Sequence, residues 1–248
     1  MNRYGLIGYP LSHSFSEFFF ANKFREEEIA DSVYQNFPLE NIREIKKLIA
    51  HHPDLKGLNI TIPYKEKILP YLSGSNEIVQ AIGACNCVTI KGGELFGFNT
   101  DVIGFEKSLL THLEPHHIKA LILGEGGAAK AVAYIFDKLG IQFLYVVRKG
   151  ESNKQKILFT DLTDALIATH TVIVNCTPLG MYPGIHEYPL INYDILTSRH
   201  YLYDLIYNPV KSMFLQRGEA RGAVIKNGHE MLIIQAEESW RIWSQELS

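Results

Sequence analysis

The stretch KALILGEGGAAKAVAYIF, residues 119–136, decides the fold class because it joins an apolar strand, a glycine turn and a helix. Gly124, Gly126 and Gly127 lie in the turn, where a Cβ would keep a ligand away from the backbone. The free N–H groups at the start of the helix attract phosphate. The spacing departs from the usual GxGxxG, although Ala129 can take the close-packing role of its last position. Taken alone, the turn leaves a purely structural role open.

The strand that follows, QFLYVV at residues 142–147, favours a dinucleotide-binding unit over a structural turn. An acidic residue at the end of this strand would hold the ribose hydroxyls of NAD, whereas a basic residue would accept the extra phosphate of NADP. Arg148 and Lys149 stand there, and Lys154 is close behind. The sequence therefore favours NADP over NAD. A solvated basic turn is the alternative, and Glu151 weakens the local positive charge.

Strand and helix patterns alternate outward from this stretch in both directions, which predicts parallel sheets covered by helices. Apolar runs at residues 3–8, 33–37 and 57–62 read as strands, and CNCVTI with ELFGFN flank a KGG hairpin turn. Apolar residues have helical spacing in residues 15–28, 41–52, 64–72, 76–83, 102–113 and 230–247. Asn41 and Ser75 are expected N-caps, and Pro63 suits the start of the helix predicted at 64–72.

The bulk composition excludes several classes of protein. The 248 residues allow one large or two modest domains, and 46% hydrophobic with 21% charged residues is an ordinary globular composition. The formal charge of -3 comes without a clustered basic face, so no nucleic-acid partner is expected. The pattern of the first ten residues, MNRYGLIGYP, predicts neither a signal peptide nor a membrane span. Three cysteines without CxxC spacing indicate neither a disulfide framework nor a metal site. We expect a cytoplasmic protein.

The loop YPLSHSFSEF, residues 9–18, places three serines between a strand end and a helix start. Hydroxyls at the positive end of a helix can bind a carboxylate, and they can also simply cap the helix. Ser12, Ser14 and Ser16 alternate along the loop, with His13 among them. One such serine is ordinary capping, but three favour an anion-binding role.

Two further loops carry candidate acid/base groups. NITIPYK contributes Asn59, Thr61 and Lys65 beyond a buried strand, and FGFNTDVIGF contributes Asn99, Thr100 and Asp101 beyond another. Oxidation of an alcohol by hydride transfer needs a group that removes the hydroxyl proton, and a lysine held by a carboxylate can do so. The residues alone leave open whether Lys65 and Asp101 meet.

Eight segments in this order resemble shikimate dehydrogenase along nearly the whole chain. They are YPLSHSFS, NITIPYK, GACNCVTI, GFNTDVIGF, LGEGGAAKA, VNCTPLGM, YDLIYNP and NGHEMLIIQA. The resemblance implies an NADPH-dependent, reversible reduction of 3-dehydroshikimate to shikimate on the route to chorismate and the aromatic amino acids. It also implies a two-domain α/β fold. A substrate domain of residues 1–101 and 228–248, completed by the C-terminal helix, accompanies an NADP-binding Rossmann domain of residues 102–227, with the active site in the cleft.

The resemblance assigns roles residue by residue. Lys65 and Asp101 are the implied catalytic pair. The implied substrate-binding residues are Ser14, Ser16, Thr61, Asn86, Tyr207 and Gln235. The implied NADP-binding residues are Gly124, Gly126, Gly127, Ala128, Arg148, Thr177, Leu205 and Gly228. No metal is implied, and the protein is expected to be a monomer or a homodimer.

The chain departs from the family pattern mainly around the cofactor. The departures are Glu17, Phe20-Ala21, Cys87, Glu125, Val147, Lys149 and His229-Glu230. A quinate/shikimate dehydrogenase that uses NAD is the nearest alternative, although the retained Ser14, Ser16 and Arg148 count against it. A folate-linked dehydrogenase would lack the paired serines and the NTD segment. A non-catalytic ligand-sensing relative should have lost Lys65 or Asp101, and both are present.

Overall fold

The computed structural model describes residues 1–11 and 15–245, and the chain divides into two units. One unit contains residues 1–100 and the chain from residue 236 onward, and the other contains residues 101–235. Ser12, His13 and Ser14 lie outside the described residues.

The first unit is built on a mixed six-stranded sheet. Its elements are β1 (Asn2–Gly8), α1 (Phe15–Glu26), β2 (Ser32–Pro38), α2 (Ile45–His51), β3 (Leu55–Ile60), β4 (Gly74–Ser75), α3 (Glu77–Ile82), β5 (Cys87–Lys91) and β6 (Glu94–Phe98). The strand order is β2-β1-β3-β5-β6-β4. β1 runs parallel to β2 and β3, whereas β5 runs antiparallel to β3 and β6. The carboxyl ends of β1, β3 and β6 and the amino end of β5 therefore meet at one edge.

The second unit is built on a parallel six-stranded sheet. Its elements are α4 (Asp101–Leu110), β7 (Lys119–Leu123), α5 (Gly127–Lys138), β8 (Gln142–Val147), β9 (Lys156–Leu158), α6 (Asp164–Thr169), β10 (Val172–Asn175), β11 (Tyr201–Asp204), α7 (Met213–Glu219) and β12 (Val224–Lys226). The last helix, α8 (His229–Gln245), begins in this unit, which ends at Gln235. The strand order β12-β11-β10-β7-β8-β9 is that of a doubly wound Rossmann domain. The predicted fold class is confirmed. In such sheets ligands bind outside the carboxyl ends of the strands, where the strand order reverses between β7 and β10.

The C-terminal part of α8 belongs to the core of the first unit. The Trp243 ring stacks on Tyr4 with centroids 5.0 Å apart, and its Nε1 donates to the Val88 carbonyl at 3.0 Å. A Cβ at Gly57 would lie 2.3 Å from that same nitrogen. Gly57 on β3 is therefore required for the helix to seat its tryptophan against the sheet.

Two local predictions were wrong. Residues 64–72 form turns and a 3₁₀ turn (Leu69–Tyr71) instead of an α-helix, because Pro70 has no N–H to donate and the Tyr64 hydroxyl anchors the segment on the Leu39 carbonyl. Asn76, and not Ser75, caps α3 by accepting from the Val79 N–H at 3.0 Å. Ser75 is instead part of β4, where it pairs with β6.

The N-cap predicted at Asn41 is present, but it caps a 3₁₀ turn (Ile42–Glu44) that precedes α2. In the part of the chain that the structure describes, no helix has the length and apolar character needed to cross a membrane.

Candidate functional site

Three of the predicted substrate-binding residues lie at one edge of the first sheet. Ser16 is in the first turn of α1, which follows β1; Thr61 directly follows β3; and Asn86 directly precedes β5. The Thr61 N–H donates to the Ile7 carbonyl at 2.9 Å, so the end of β3 stays paired with β1. The sheet topology thus gathers residues that are up to 70 positions apart in the sequence.

A buried tyrosine supports Ser16. The Tyr34 hydroxyl forms a hydrogen bond with the Ser16 side chain and donates to Asn59 Oδ1 at 2.9 Å. Phe20 stacks on the Tyr34 ring with centroids 4.4 Å apart. Burial raises the pKa of Tyr34 well above its ordinary value, so the hydroxyl stays protonated. Ser16 is the second residue of α1, so it does not occupy the N-cap position.

The hydrogen bonds continue from Asn59 across the core to Asn86. Asn59 Nδ2 donates to Ser239 Oγ at 2.8 Å, and Ser239 Oγ lies 3.3 Å from Thr100 Oγ1. Thr100 Oγ1 accepts from Asn86 Nδ2 at 2.9 Å, and the Thr100 N–H donates to Asn86 Oδ1 at 2.6 Å. Asn59, Asn86, Thr100 and Ser239 are all buried. The network fixes the orientation of the Asn86 amide at the sheet edge.

The structure anchors the backbone of the predicted proton-transfer residue. Lys65 is half-buried in the turns after β3, and its carbonyl accepts from the Cys85 N–H at 2.8 Å. The preceding residue, Tyr64, is buried, and its hydroxyl donates a hydrogen bond to the Leu39 carbonyl. The turn that carries Lys65 is therefore tied to the segment that leads into Asn86.

Asp101 and Gln235 both belong to the second unit. Asp101 is buried and is the first residue of α4, directly after Thr100. One turn later, a Cβ at Gly104 would lie 2.7 Å from the Met231 carbonyl oxygen and 3.2 Å from Gln235 Cβ. The helices α4 and α8 therefore cross closely at Gly104. Because Asp101 lies one turn before Gly104, Gln235 lies beside the face of α4 that carries Asp101.

The glycine turn after β7 has room for a ligand. Gly124 has φ +104°, which favours glycine, and a Cβ there would lie 3.3 Å from Thr177 Cγ2. Gly126 has φ -74°, and a Cβ on it would meet no described atom within 4 Å. Gly127 and Ala128 then open α5, whose N-cap is Gly126. The fold requires glycine at 124 but not at 126, and the open helix start suits the pyrophosphate of a dinucleotide.

A buried carboxylate, which sequence reasoning missed, braces the ends of β10 and β11. Asp204 Oδ1 accepts from Asn175 Nδ2 and from the Ile206 N–H, both at 3.0 Å. Asn175 Oδ1 in turn accepts from the Thr177 N–H at 3.0 Å and from its hydroxyl at 2.6 Å. Burial raises the pKa of Asp204 to about 7, although the bond that Ser212 donates opposes the rise. The polar residues that end the apolar strands VIVN and YLYD were the available sequence signal.

Two more residues that are predicted to border the nicotinamide, Leu205 and Gly228, also lie at the carboxyl end of this sheet. A Cβ at Gly228 would lie 2.2 Å from the Leu205 carbonyl oxygen, and the Gly228 N–H donates to the Ile206 carbonyl at 3.0 Å. Leu205 and Gly228 are therefore in direct contact, and only glycine fits. Tyr207 is half-buried just beyond them, and burial raises the pKa of its hydroxyl.

The side of the glycine turn that is predicted to face the adenosine is charged. Arg148 is exposed directly after β8, at the end of the strand where the sequence predicts a phosphate contact. Glu125, in the glycine turn, forms an ion pair with Lys156 on β9. Sequence reasoning did not identify Lys156, because its partner stands 31 residues away. Across residues 1–11 and 15–245, no group of three or more His, Cys, Asp or Glu side chains is arranged to hold a metal.

Comparison with known proteins identifies the family to which this chain is similar. The model of the shikimate dehydrogenase substrate binding domain matches residues 6–88. The chain is 36% identical to the shikimate dehydrogenase (NADP(+)) of Caldicellulosiruptor bescii, over 98% of this chain and 89% of that protein. The crystal structure of shikimate dehydrogenase 1 from Peptoclostridium difficile is 33% identical, with a TM-score of 0.84 over 99% of this chain and 92% of that one. The Thermus thermophilus enzyme, solved with NADP(H) and shikimate, is 27% identical, with a TM-score of 0.85 over 99% and 94%.

Proposed function

The chain belongs to the shikimate dehydrogenase family, and on this premise we propose that it catalyses the reversible NADPH-dependent reduction of 3-dehydroshikimate to shikimate. The observation that carries the proposal is the edge of the first sheet, where Ser16, Thr61 and Asn86 lie together beside the anchored turn of Lys65. Hydroxyl and amide groups of this kind suit a small polyhydroxylated acid. The product feeds chorismate and aromatic amino-acid synthesis.

The proposal gives each side chain a chemical task. NADPH, when bound, would supply the hydride for the carbonyl carbon. Lys65 donates the proton to the oxygen during reduction and removes it during oxidation, and Asp101 holds the ammonium group in place. Ser14 and Ser16 bind the carboxylate. The hydroxyl groups of the substrate ring contact Thr61, Asn86, Tyr207 and Gln235, which set the orientation of the ring.

The second unit supplies the cofactor contacts in this proposal. The residues that would line the pyrophosphate are Gly124, Gly126, Gly127 and Ala128. Arg148 would bind the 2′-phosphate. The nicotinamide would be bordered by Thr177, Leu205 and Gly228. The support is the open helix start at Gly126 together with the packing of Gly228 on Leu205. The functional domains that we propose are residues 1–101 with 228–248 for substrate and residues 102–227 for NADP.

An absorbance assay at the reduced-nicotinamide band tests the activity. Shikimate and quinate are each offered with NADP and with NAD, and we expect the highest kcat/KM for shikimate with NADP. A higher value for quinate with NAD would identify the alternative quinate dehydrogenase. Binding of shikimate and nucleotide without turnover in any combination would identify a ligand-sensing protein.

Two further parts of the proposal concern the state of the protein in the cell. We expect a cytoplasmic enzyme, since three cysteines suit a reducing compartment. We also expect a monomer or a homodimer, which light scattering after size-exclusion chromatography distinguishes.

Ser16→Ala is expected to raise the KM for shikimate with little change in kcat. The carboxylate is remote from the reacting carbon, so the hydroxyl stabilises the ground state and the transition state equally. The KM for the nicotinamide cofactor should not move. Ser14→Ala should behave in the same way, although Ser14 lies outside the described residues.

Ser32→Ala is the matched control, because Ser32 is a serine of the same unit at the start of β2. Loss of the Ser16–Tyr34 bond should also lower the free energy of unfolding by about 1 kcal/mol. A fall in thermal midpoint with an unchanged shikimate KM would show that Ser16 only supports Tyr34.

A further inference from the structure

The ion pair between Glu125 and Lys156 has no counterpart in the roles assigned above. Glu125 is an acidic residue inside a turn that is proposed to face an anionic ligand, and its side chain is 49% exposed. Lys156 is the first residue of β9, and its side chain is 30% exposed. Fold stability does not account for the pair, because ion pairs at this level of exposure contribute little.

Strand register shows where the pair lies. The Gly124 N–H donates to the Val146 carbonyl at 2.9 Å, so the glycine turn sits against the last residues of β8. Lys156 is the direct partner of Tyr145 in the parallel pairing of β8 and β9. The Glu125 charge is also close enough to Tyr145 to contribute to its raised pKa, which burial chiefly causes. The Glu125 side chain therefore extends from the turn after β7, past the end of β8, to Lys156 on β9. It passes β8 near Tyr145 and Val146, which precede Arg148 by three and two residues.

A dinucleotide-binding domain would hold the adenosine ribose of its cofactor at this position. In dinucleotide-binding domains the ribose lies between the glycine turn and the end of the second strand, which here is β8. A carboxylate there accepts hydrogen bonds from the free hydroxyls of NAD and repels the 2′-phosphate of NADP. An ammonium group has the opposite preference. The ion pair joins one group of each kind.

We propose that Glu125 and Lys156 together set the discrimination between NADP and NAD, with Glu125 holding Lys156 away from the 2′-phosphate and so reducing the preference for NADP. This proposal rests on the proposed function of the second unit as the nicotinamide nucleotide site. It adds to Arg148 a pair of opposed charges that tunes the choice of cofactor. It also accounts for an acidic residue in the glycine turn of a chain whose strand end is basic.

Opposite substitutions test the proposal. Glu125→Gln releases Lys156 and removes a negative charge, so the ratio of the NAD Kd to the NADP Kd should rise about tenfold. Lys156→Gln leaves Glu125 without its neutralising partner, so the same ratio should fall about tenfold. The double variant should return to within about threefold of the wild-type ratio. Both shifts should shrink between 0.05 M and 0.5 M salt, by roughly half or more, since both side chains are partly accessible to solvent.

The measurement is the equilibrium Kd of NADPH and NADH for the full chain, followed by fluorescence or calorimetry without substrate. Glu219→Gln is the matched control, because it makes the same change of net charge and breaks an exposed ion pair, with Lys211, elsewhere in the same unit. It should change the ratio less than about twofold. Equal ratios in all variants, or shifts of the same sign in both single variants, would overturn the proposal and leave a structural ion pair.

The binding measurement separates this proposal from the proposed function. A protein that binds both nucleotides and shows the opposed shifts supports the Glu125–Lys156 proposal even if shikimate is not turned over. A wild-type protein that turns over shikimate but shows no shift in any variant retains the proposed function and loses this inference. A protein that binds neither nucleotide contradicts both.

Discussion

Lys65→Ala is expected to lower turnover by about two to four orders of magnitude, the usual cost of losing a general acid/base group. Shikimate binding should be largely retained, because the hydroxyl and amide groups of Ser16, Thr61 and Asn86 stay in place. The fold should also be retained, since the contact that anchors this turn uses the Lys65 carbonyl and not its side chain. The measurement is kcat with saturating shikimate and NADP, together with the shikimate Kd from calorimetry.

Lys67→Ala is the matched control, because Lys67 is an exposed lysine two residues further along the same turns. It should keep turnover within about twofold of wild type, since isolated surface charges contribute little. Near-normal turnover of the Lys65 variant would mean that another group transfers the proton. Weaker shikimate binding with an unchanged kcat at saturation would mean that Lys65 binds substrate and does not transfer the proton.

Arg148→Ala is expected to weaken NADP binding far more than NAD binding, with a change of roughly 10- to 150-fold in the NADP Kd. This is the range that corresponds to about 1.5–3 kcal/mol for a hydrogen bond to a charged group. The NAD Kd should stay nearly constant because NAD carries no 2′-phosphate. The exposed position of Arg148 directly after β8 makes it available to the ligand without disturbing the core.

Arg221→Ala provides the control, because Arg221 is an exposed arginine of the same unit that pairs with Asp194. Its removal makes the same change of charge and should leave both nucleotide affinities nearly unchanged. If the Arg148 variant loses affinity equally for both nucleotides, Arg148 supports the turn and does not contact the phosphate.

Local patterns predicted the elements well where one segment contained all the information. The strand, turn and helix of residues 119–136 needed only apolar periodicity and glycine, and β7 and α5 are where the pattern indicates. The prediction failed at residues 64–72, where the helical spacing was genuine. There Pro70 lacks the N–H that a helix would use, and the hydrogen bond from the Tyr64 hydroxyl to the Leu39 carbonyl, 25 residues away, fixes the segment as turns.

The sequence by itself determined the fold class, because the alternation of strand and helix patterns depends on residues that are neighbours in the chain. Tertiary structure alone decided which side chains meet. Asn59 bonds to Ser239, 180 residues away, and Glu125 pairs with Lys156 across an intervening strand. Such contacts follow from strand order, register and helix crossings, which bring distant residues to the same sheet edge, and no local pattern contains that information.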